Sequence, residues 1–181
     1  MLHTDLIEAC RQNNRKAQLA LYKKYCKGMY AVAFRFLKDS QEAEDAMQEG
    51  FIQAFAKLDQ YSGDSTFGAW LKKIVIHKSL DMLRARKMNV IALNEHSLEL
   101  AGEEENWEVE ESIGLEQIKK EIESLPEKYR FPLMLFLMEG YDHDEISEIL
   151  NINPVSSRTL VHRGKKMLQT QLKNIRHGTG S

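Results

Sequence analysis

Apolar residues recur along this chain at intervals of three and four, the period of a helix with one buried face. Nowhere do they alternate as a half-buried strand requires. Leu6, Ile7 and Cys10 outline a short first helix with Thr4 as its cap, and Asn13-Asn14 supply the break after it. Ala17, Leu21, Tyr25, Met29, Val32 and Phe36 mark the inner side of a long helix over 15–37. Gly28 lowers helix stability within it, which predicts a close neighbour or a slight bend there. Asp39 and Glu42 have the spacing of a reciprocal capping box, and the helix they open carries Ala43, Met47, Gly50, Phe51, Ala54, Phe55 and Leu58 as its stripe. After a polar turn at 61–66, Phe67, Trp70, Leu71, Ile74, Leu80 and Leu83 give a helix over 67–87 its inner face, with Phe67 and Trp70 read as core.

The later part of the chain follows the same logic. A helix begins near Pro126, and Pro132 inside it removes the hydrogen bond to the Lys128 carbonyl, which predicts a bend. Asp142 and Glu145 form a second capping box, Ile146, Ile149 and Leu150 share one face, and Asn151 tolerates the left-handed conformation that closes a helix. Asn153 caps the next helix, with Pro154 at its first position. Ser157, Val161, Gly164 and Leu168 form its small or apolar side, while Ser156, Arg158, Thr159, His162, Arg163 and Lys166 project from the other. Two short helices joined by so tight a turn have the outline of a helix-turn-helix.

Length and composition narrow the class. At 181 residues the chain holds one medium domain or two small ones, and the expectation is an all-α protein of two small helical domains. The formal net charge of −2 argues against a polyanionic partner only if charge is evenly spread, and it is not. Basic residues gather in 72–87 and 158–176, whereas 89–114 carries Glu95, Glu99, Glu103, Glu104, Glu105, Glu108, Glu110 and Glu111 without one Lys or Arg. Such a stretch repels itself and predicts an acidic flexible linker. Trp107, Leu98 and Leu100 within it offer points by which it is pinned to a domain or an inhibitor. The organisation expected is 1–88, linker 89–114, 115–177, and a tail at 178–181. Cys10 and Cys26 lack the spacing of a zinc or disulfide framework, and no apolar run is long enough to span a bilayer. The expectation is a cytoplasmic protein with no cofactor, no metal and no membrane insertion.

The candidate chemistry is binding. A helix entering the major groove needs hydroxyls and forked cations in its N-terminal half, and Ser156, Arg158 and Thr159 occupy that half, with His162, Arg163 and Lys166 behind them. Tyr61, Ser62, Gly63, Asp64, Ser65 and Thr66 form a loop with an aromatic edge beside a helix bearing Lys72, Lys73, His77, Lys78, Arg84, Arg86 and Lys87. That pairing suits single-stranded or partly opened DNA, with cations for phosphates and a pocket for an unstacked base. Glu44, Asp45, Gln48 and Glu49 leave the third helix an acidic face, either solvated or a docking surface for a basic partner helix. Two further classes fit parts of the sequence: a stand-alone regulator that uses only the helix-turn-helix, and, from the adjacent His143-Asp144 pair, a metal-dependent phosphohydrolase. The second needs ligands converging from other helices, and no matching spacing occurs.

Several stretches in order resemble one family. Ala43-Glu44-Asp45-Ala46-Met47-Gln48-Glu49-Gly50-Phe51, then Gly63-Asp64-Ser65-Thr66-Phe67-Gly68-Ala69-Trp70-Leu71, then Asp81 and Arg84, then Leu125-Pro126-Glu127-Lys128-Tyr129-Arg130 before the helix-turn-helix are similar to bacterial sigma factors of the extracytoplasmic-function group. The resemblance implies a two-domain promoter-specificity subunit of RNA polymerase, not an enzyme, and a monomer when free. It implies that the helix around Glu44, Asp45, Gln48 and Glu49 docks on the clamp helices of the largest subunit of core RNA polymerase. The 61–66 loop and the basic helix after it would read and open the −10 element, holding a flipped non-template base. The helix-turn-helix would read the −35 element of promoter DNA while resting on the flap of the second-largest subunit. The linker would thread towards the polymerase active site, and an anti-sigma factor, commonly membrane-anchored, would be the regulator. The chain departs from the family at His77, where Asn is usual, at Ser157 and Leu160, which replace Val and a basic residue, and at Asn151, in place of a turn Gly.

Overall fold

A computed structural model describes residues 3–87 and 114–178, and every regular element among them is helical. The chain divides into two compact units, the first carrying residues 3–87 and the second 114–178. The expected linker, with Trp107, Leu98 and Leu100, and the expected domain boundary at 88–89 lie outside the described residues.

The first unit contains α1 (His3–Arg11), α2 (Arg15–Leu37), α3 (Ser40–Ala56), a single 3-10 turn at Leu58–Gln60, and α4 (Phe67–Lys87). Helix α1 already includes Thr4, so its start precedes the expected cap. Helix α2 has the predicted limits because its ends are chemically marked. Asn14 accepts from the Lys16 and Ala17 amides at the start, and Lys38 adopts the left-handed conformation at the end. Helices α2, α3 and α4 pack on one another around Leu21, Phe36, Phe67, Leu71 and Ile76, each at most 1% exposed. Burying such side chains contributes about 1.5–3 kcal/mol each. The α3–α4 contact depends on Gly50, where an added Cβ would lie 2.6 Å from Val75 Cγ2. Of the two expectations at Gly28, the close neighbour is corrected: a Cβ there meets nothing within 4 Å.

The expected box at Asp39 forms only in half. Asp39 accepts from the Glu42 amide at 2.9 Å, but the Glu42 carboxylate pairs with Arg86 of α4, whose Nε donates to it at 2.8 Å. A full guanidinium offers a carboxylate more than one backbone N–H does, so the tertiary partner prevails. Trp70 and Ile74, expected on the inner face of α4, are half-buried; Val75 and Ile76 take the deepest positions beside Leu71.

The second unit contains α5 (Leu115–Ser124), α6 (Glu127–Leu137), α7 (His143–Leu150) and α8 (Pro154–Gly178). Pro126 is the N-cap of α6, and Pro132 lies inside the helix, buried. At the α5–α6 corner Arg130 donates to the Glu123 carbonyl at 3.1 Å and lies against the Phe131 ring. Burial lowers its pKa and the nearby Glu123 carboxylate partly offsets that. Both halves of the Asp142–Glu145 capping box are present, at 2.8 and 3.1 Å. Asn151 closes α7 at φ 56°, ψ 49°, in the left-handed conformation expected of it. Asn153 Oδ1 then accepts from the Ser156 amide at 2.7 Å, so only residues 151–153 separate the end of α7 from the start of α8. Helix α8 packs on α5, α6 and α7. Gly164 permits a close approach, since a Cβ there would stand 3.3 Å from the Tyr129 carbonyl.

Candidate nucleic-acid interface

At the head of α4, chain chemistry fixes an exposed loop. Thr66 accepts from the Ala69 amide and starts the helix, and Tyr61 donates its hydroxyl to the Ser65 carbonyl at 2.6 Å, closing the loop on itself. Ser62 donates to Asp64 at 2.6 Å, and Gly63 supplies the positive φ of 89° that the turn requires. Residues 62–66 are exposed, and Tyr61 is half-buried. Beneath them lies a ring cluster: Tyr61 meets Phe67 edge-on at 5.8 Å and Trp70 at 5.3 Å, and Tyr25 meets Phe67 at 5.5 Å. Phe67 is core, as expected, at 1% exposure, whereas Trp70 is half-buried and keeps a face near the loop. Burial, with a smaller contribution from Tyr61, raises the Tyr25 pKa. Arg11 adds a brace that the sequence pattern does not reveal, donating to the Tyr61 carbonyl at 2.7 Å while it pairs with Glu8.

The cations expected along α4 differ in their settings. Lys72, Lys73, His77 and Lys78 are half-buried, Arg84 and Arg86 are exposed, and Lys87 ends the helix. Lys78 pairs with Glu49 at 2.6 Å, Arg84 with Asp81 at 3.0 Å, and Arg86 with Glu42. A phosphate approaching these side chains therefore competes with a carboxylate at Lys78, Arg84 and Arg86. Glu44, Asp45, Gln48 and Glu49 are all exposed on α3, so they form one face as expected, and Gln48 donates to Glu44 at 3.1 Å. Ile52, 68% exposed, continues that face. Its position four residues after Gln48 is the signal that places it there.

On α8 the buried side includes Ser157, Val161, Gly164 and Leu168, as the spacing requires. Arg158 and Lys166 are exposed, and Ser156, His162 and Arg163 are half-buried. Thr159 is a correction. It is 1% exposed, and its hydroxyl donates to the Val155 carbonyl at 3.0 Å, the back-bond typical of a threonine within a helix. A helix packed on three neighbours buries more than one stripe, and a single-stripe reading misses the second. The outward position near the helix start belongs instead to Val155, 47% exposed.

His143 lies 3.0 Å from Ser157 through Nδ1 and stacks on Phe136, whose ring also carries Lys165 at 4.6 Å. These contacts tie α7 to α8 and give His143 a packing role. Among the described residues no group of three or more His, Cys, Asp or Glu side chains converges as a metal site. Cys10 is buried and Cys26 half-buried, both free thiols. No helix among the described residues is long and apolar enough to cross a membrane.

Comparison with known proteins gives both units a counterpart. Residues 21–88 match the model of Sigma-70 region 2, and residues 115–168 that of Sigma-70, region 4. The chain is 28% identical to the ECF RNA polymerase sigma factor SigW of Bacillus subtilis over 93% of its own length and 96% of the relative's. It is 30% identical to the corresponding SigE of Mycolicibacterium smegmatis, over 84% of this chain and 60% of that one. Among solved structures, the sigma factor RpoE of Bartonella quintana, in complex with the anti-sigma factor NepR, shares the fold with a TM-score of 0.57. Identity there is 22%, over 85% of this chain and 95% of that one.

Proposed function

Since this chain belongs to the sigma-70 family, as a sigma factor of the extracytoplasmic-function group, we propose that its two units divide promoter reading between them. A sigma factor acts by binding, with no catalytic step of its own, and its partners are core RNA polymerase and promoter DNA. In this division, the exposed loop 61–66 and the ring cluster under it receive an unstacked −10 base, while Lys72, Lys73, His77, Lys78, Arg84, Arg86 and Lys87 meet the phosphates around it. Stacking in duplex DNA is worth roughly 1–2 kcal/mol per base-pair step, and capture of a flipped base offsets part of that. Arg158 and Ser156, with His162, Arg163 and Lys166, meet the −35 element in the major groove. Thr159 drops out of this set because its hydroxyl is already engaged and buried.

The α3 face of Glu44, Asp45, Gln48 and Glu49, extended by Ile52, is the docking surface for the polymerase clamp. An apolar side chain within a charged rim is the usual composition of such a surface. The same face is the one an anti-sigma factor would cover, and the setting is the cytoplasm, where polymerase works. The observation that carries this reading is that one chain presents both an exposed, ring-backed loop at the head of α4 and an exposed arginine at the head of α8.

The reading separates cleanly by mutation. Arg158→Glu should leave co-elution with core polymerase intact and remove discrimination between a promoter and its −35-substituted counterpart, a loss of about 1–3 kcal/mol per base contact. Asp45→Lys with Glu49→Lys should do the reverse, abolishing co-elution. Unchanged −35 discrimination in the first variant would remove Arg158 from the site.

A further inference from the structure

Helix α2 carries Arg15, Lys16, Lys23, Lys24, Lys27 and Arg35 and not one Asp or Glu. The arrangement works against the helix. Lys23 and Lys27 are like charges four residues apart, and Arg15 with Lys16 sit where the helix dipole favours anions. Four cations elsewhere in the same unit have carboxylate partners: Arg11 with Glu8, Lys78 with Glu49, Arg84 with Asp81, Arg86 with Glu42. Lys23, Lys24 and Lys27 are exposed. At Lys23, Lys24 and Lys27 the local rule is broken with no carboxylate of α2 to compensate, which points to a partner outside the fold.

The place of this patch says which partner. Lys24 Nζ stands 5.4 Å from the Tyr25 ring centroid, and Tyr25 packs on Phe67 at 5.5 Å within the cluster that backs the 61–66 loop. Tyr25 also fits against Gly68, where a Cβ would come within 2.9 Å of its ring. The basic face of α2 is thus continuous with the base-reading loop through two rings. A row of cations leading away from an aromatic platform is the arrangement by which proteins track a single strand.

We propose that the α2 face formed by Lys23, Lys24 and Lys27 is a second phosphate-binding surface, which carries the single-stranded DNA backbone continuing from the base held at the 61–66 loop. The proposal rests on the promoter-reading function above and extends its DNA contact from α4 to α2. Its ligand is the phosphodiester backbone, so the contact is indifferent to base sequence.

The test uses core polymerase bound to this chain and a forked promoter fragment. The promoter is first mapped by run-off transcription from genomic DNA; the fragment is duplex through −35, with the non-template strand left single from the −10 element onward. Affinity is measured across a salt series for wild type, for Lys23→Gln/Lys24→Gln/Lys27→Gln, and for Lys23→Gln/Lys27→Gln, which spares the cation over Tyr25. Removing one lysine that neutralises a single-strand phosphate lowers the slope of log affinity against log salt by about 0.7. The triple variant should therefore drop by about 2 in slope and the double variant by about 1.4, with co-elution with core unchanged. An unchanged slope would overturn the proposal. Loss of co-elution would assign the face to the polymerase, and tighter DNA binding would assign it to an acidic chain segment; either result also overturns it. Failure of wild-type holoenzyme to bind the fork would instead count against the promoter-reading function, and the proposal would fall with it.

Discussion

Single side chains decide how much of the promoter contact is available. Thr159 faces the helix backbone through its own hydroxyl, so Thr159→Val removes no group that DNA can reach. Binding of the holoenzyme to −35 duplex should stay within about twofold of wild type, well below the ~1 kcal/mol that a base contact contributes. A tenfold loss in a filter or anisotropy assay would return Thr159 to the site. Tyr141, at the entrance to α7, gives a pH prediction. Burial first, then Glu139 and Glu145, raise its pKa above the ordinary tyrosine value of 10.0. A group whose folded pKa is raised contributes stability that is whole below the unfolded pKa and is lost as pH climbs above it. Helicity of wild type should therefore fall as pH passes about 10, and Tyr141→Phe should fall less, followed by circular dichroism. Superimposed alkaline curves would contradict this.

At the scale of elements, two glycines in neighbouring helices should respond with opposite signs. Gly50 faces Val75, itself fully buried, so Gly50→Val overpacks the α3–α4 contact and should cost about 1–3 kcal/mol. Gly28 faces open space within a regular helix, so Gly28→Ala should stabilise by about 0.5–1 kcal/mol. Thermal melts of the two variants check both, and a destabilised Gly28→Ala would mean a neighbour exists. Helix limits are legible in the sequence at Asn14, Asp142 and Asn151, though not at Thr4, because capping is local chemistry between residues two to four apart. Partners far apart in sequence are not legible. Glu42 has the spacing of a local cap but pairs with Arg86, and Arg11 reaches the Tyr61 carbonyl. For the candidate site, Arg158 and the 61–66 loop follow from pattern, and Arg158 and residues 62–66 are exposed, whereas Val155, Ile52 and the α2 cations do not stand out. The basic run on α4 is dense enough to catch the eye, while the charges of an equally basic α2 are spread over a longer stretch.

Across the whole molecule, a formal net charge of −2 conceals a division of labour by sign. Exposed acidic residues lie on α3 and exposed basic residues on α2, α4 and α8; in the proposed function a protein partner and DNA would thus be drawn to different surfaces. Two compact units with separate cores suit a reader of two separated DNA elements, since each surface is held by its own helices. The measurement that tests this account most directly is run-off transcription with purified core polymerase, with and without this chain, on the DNA upstream of its own gene and a pool of genomic fragments. The account predicts discrete new start sites that require both proteins, each preceded by shared sequence near −10 and −35. No new starts, together with no co-elution of the chain with core polymerase, would contradict it.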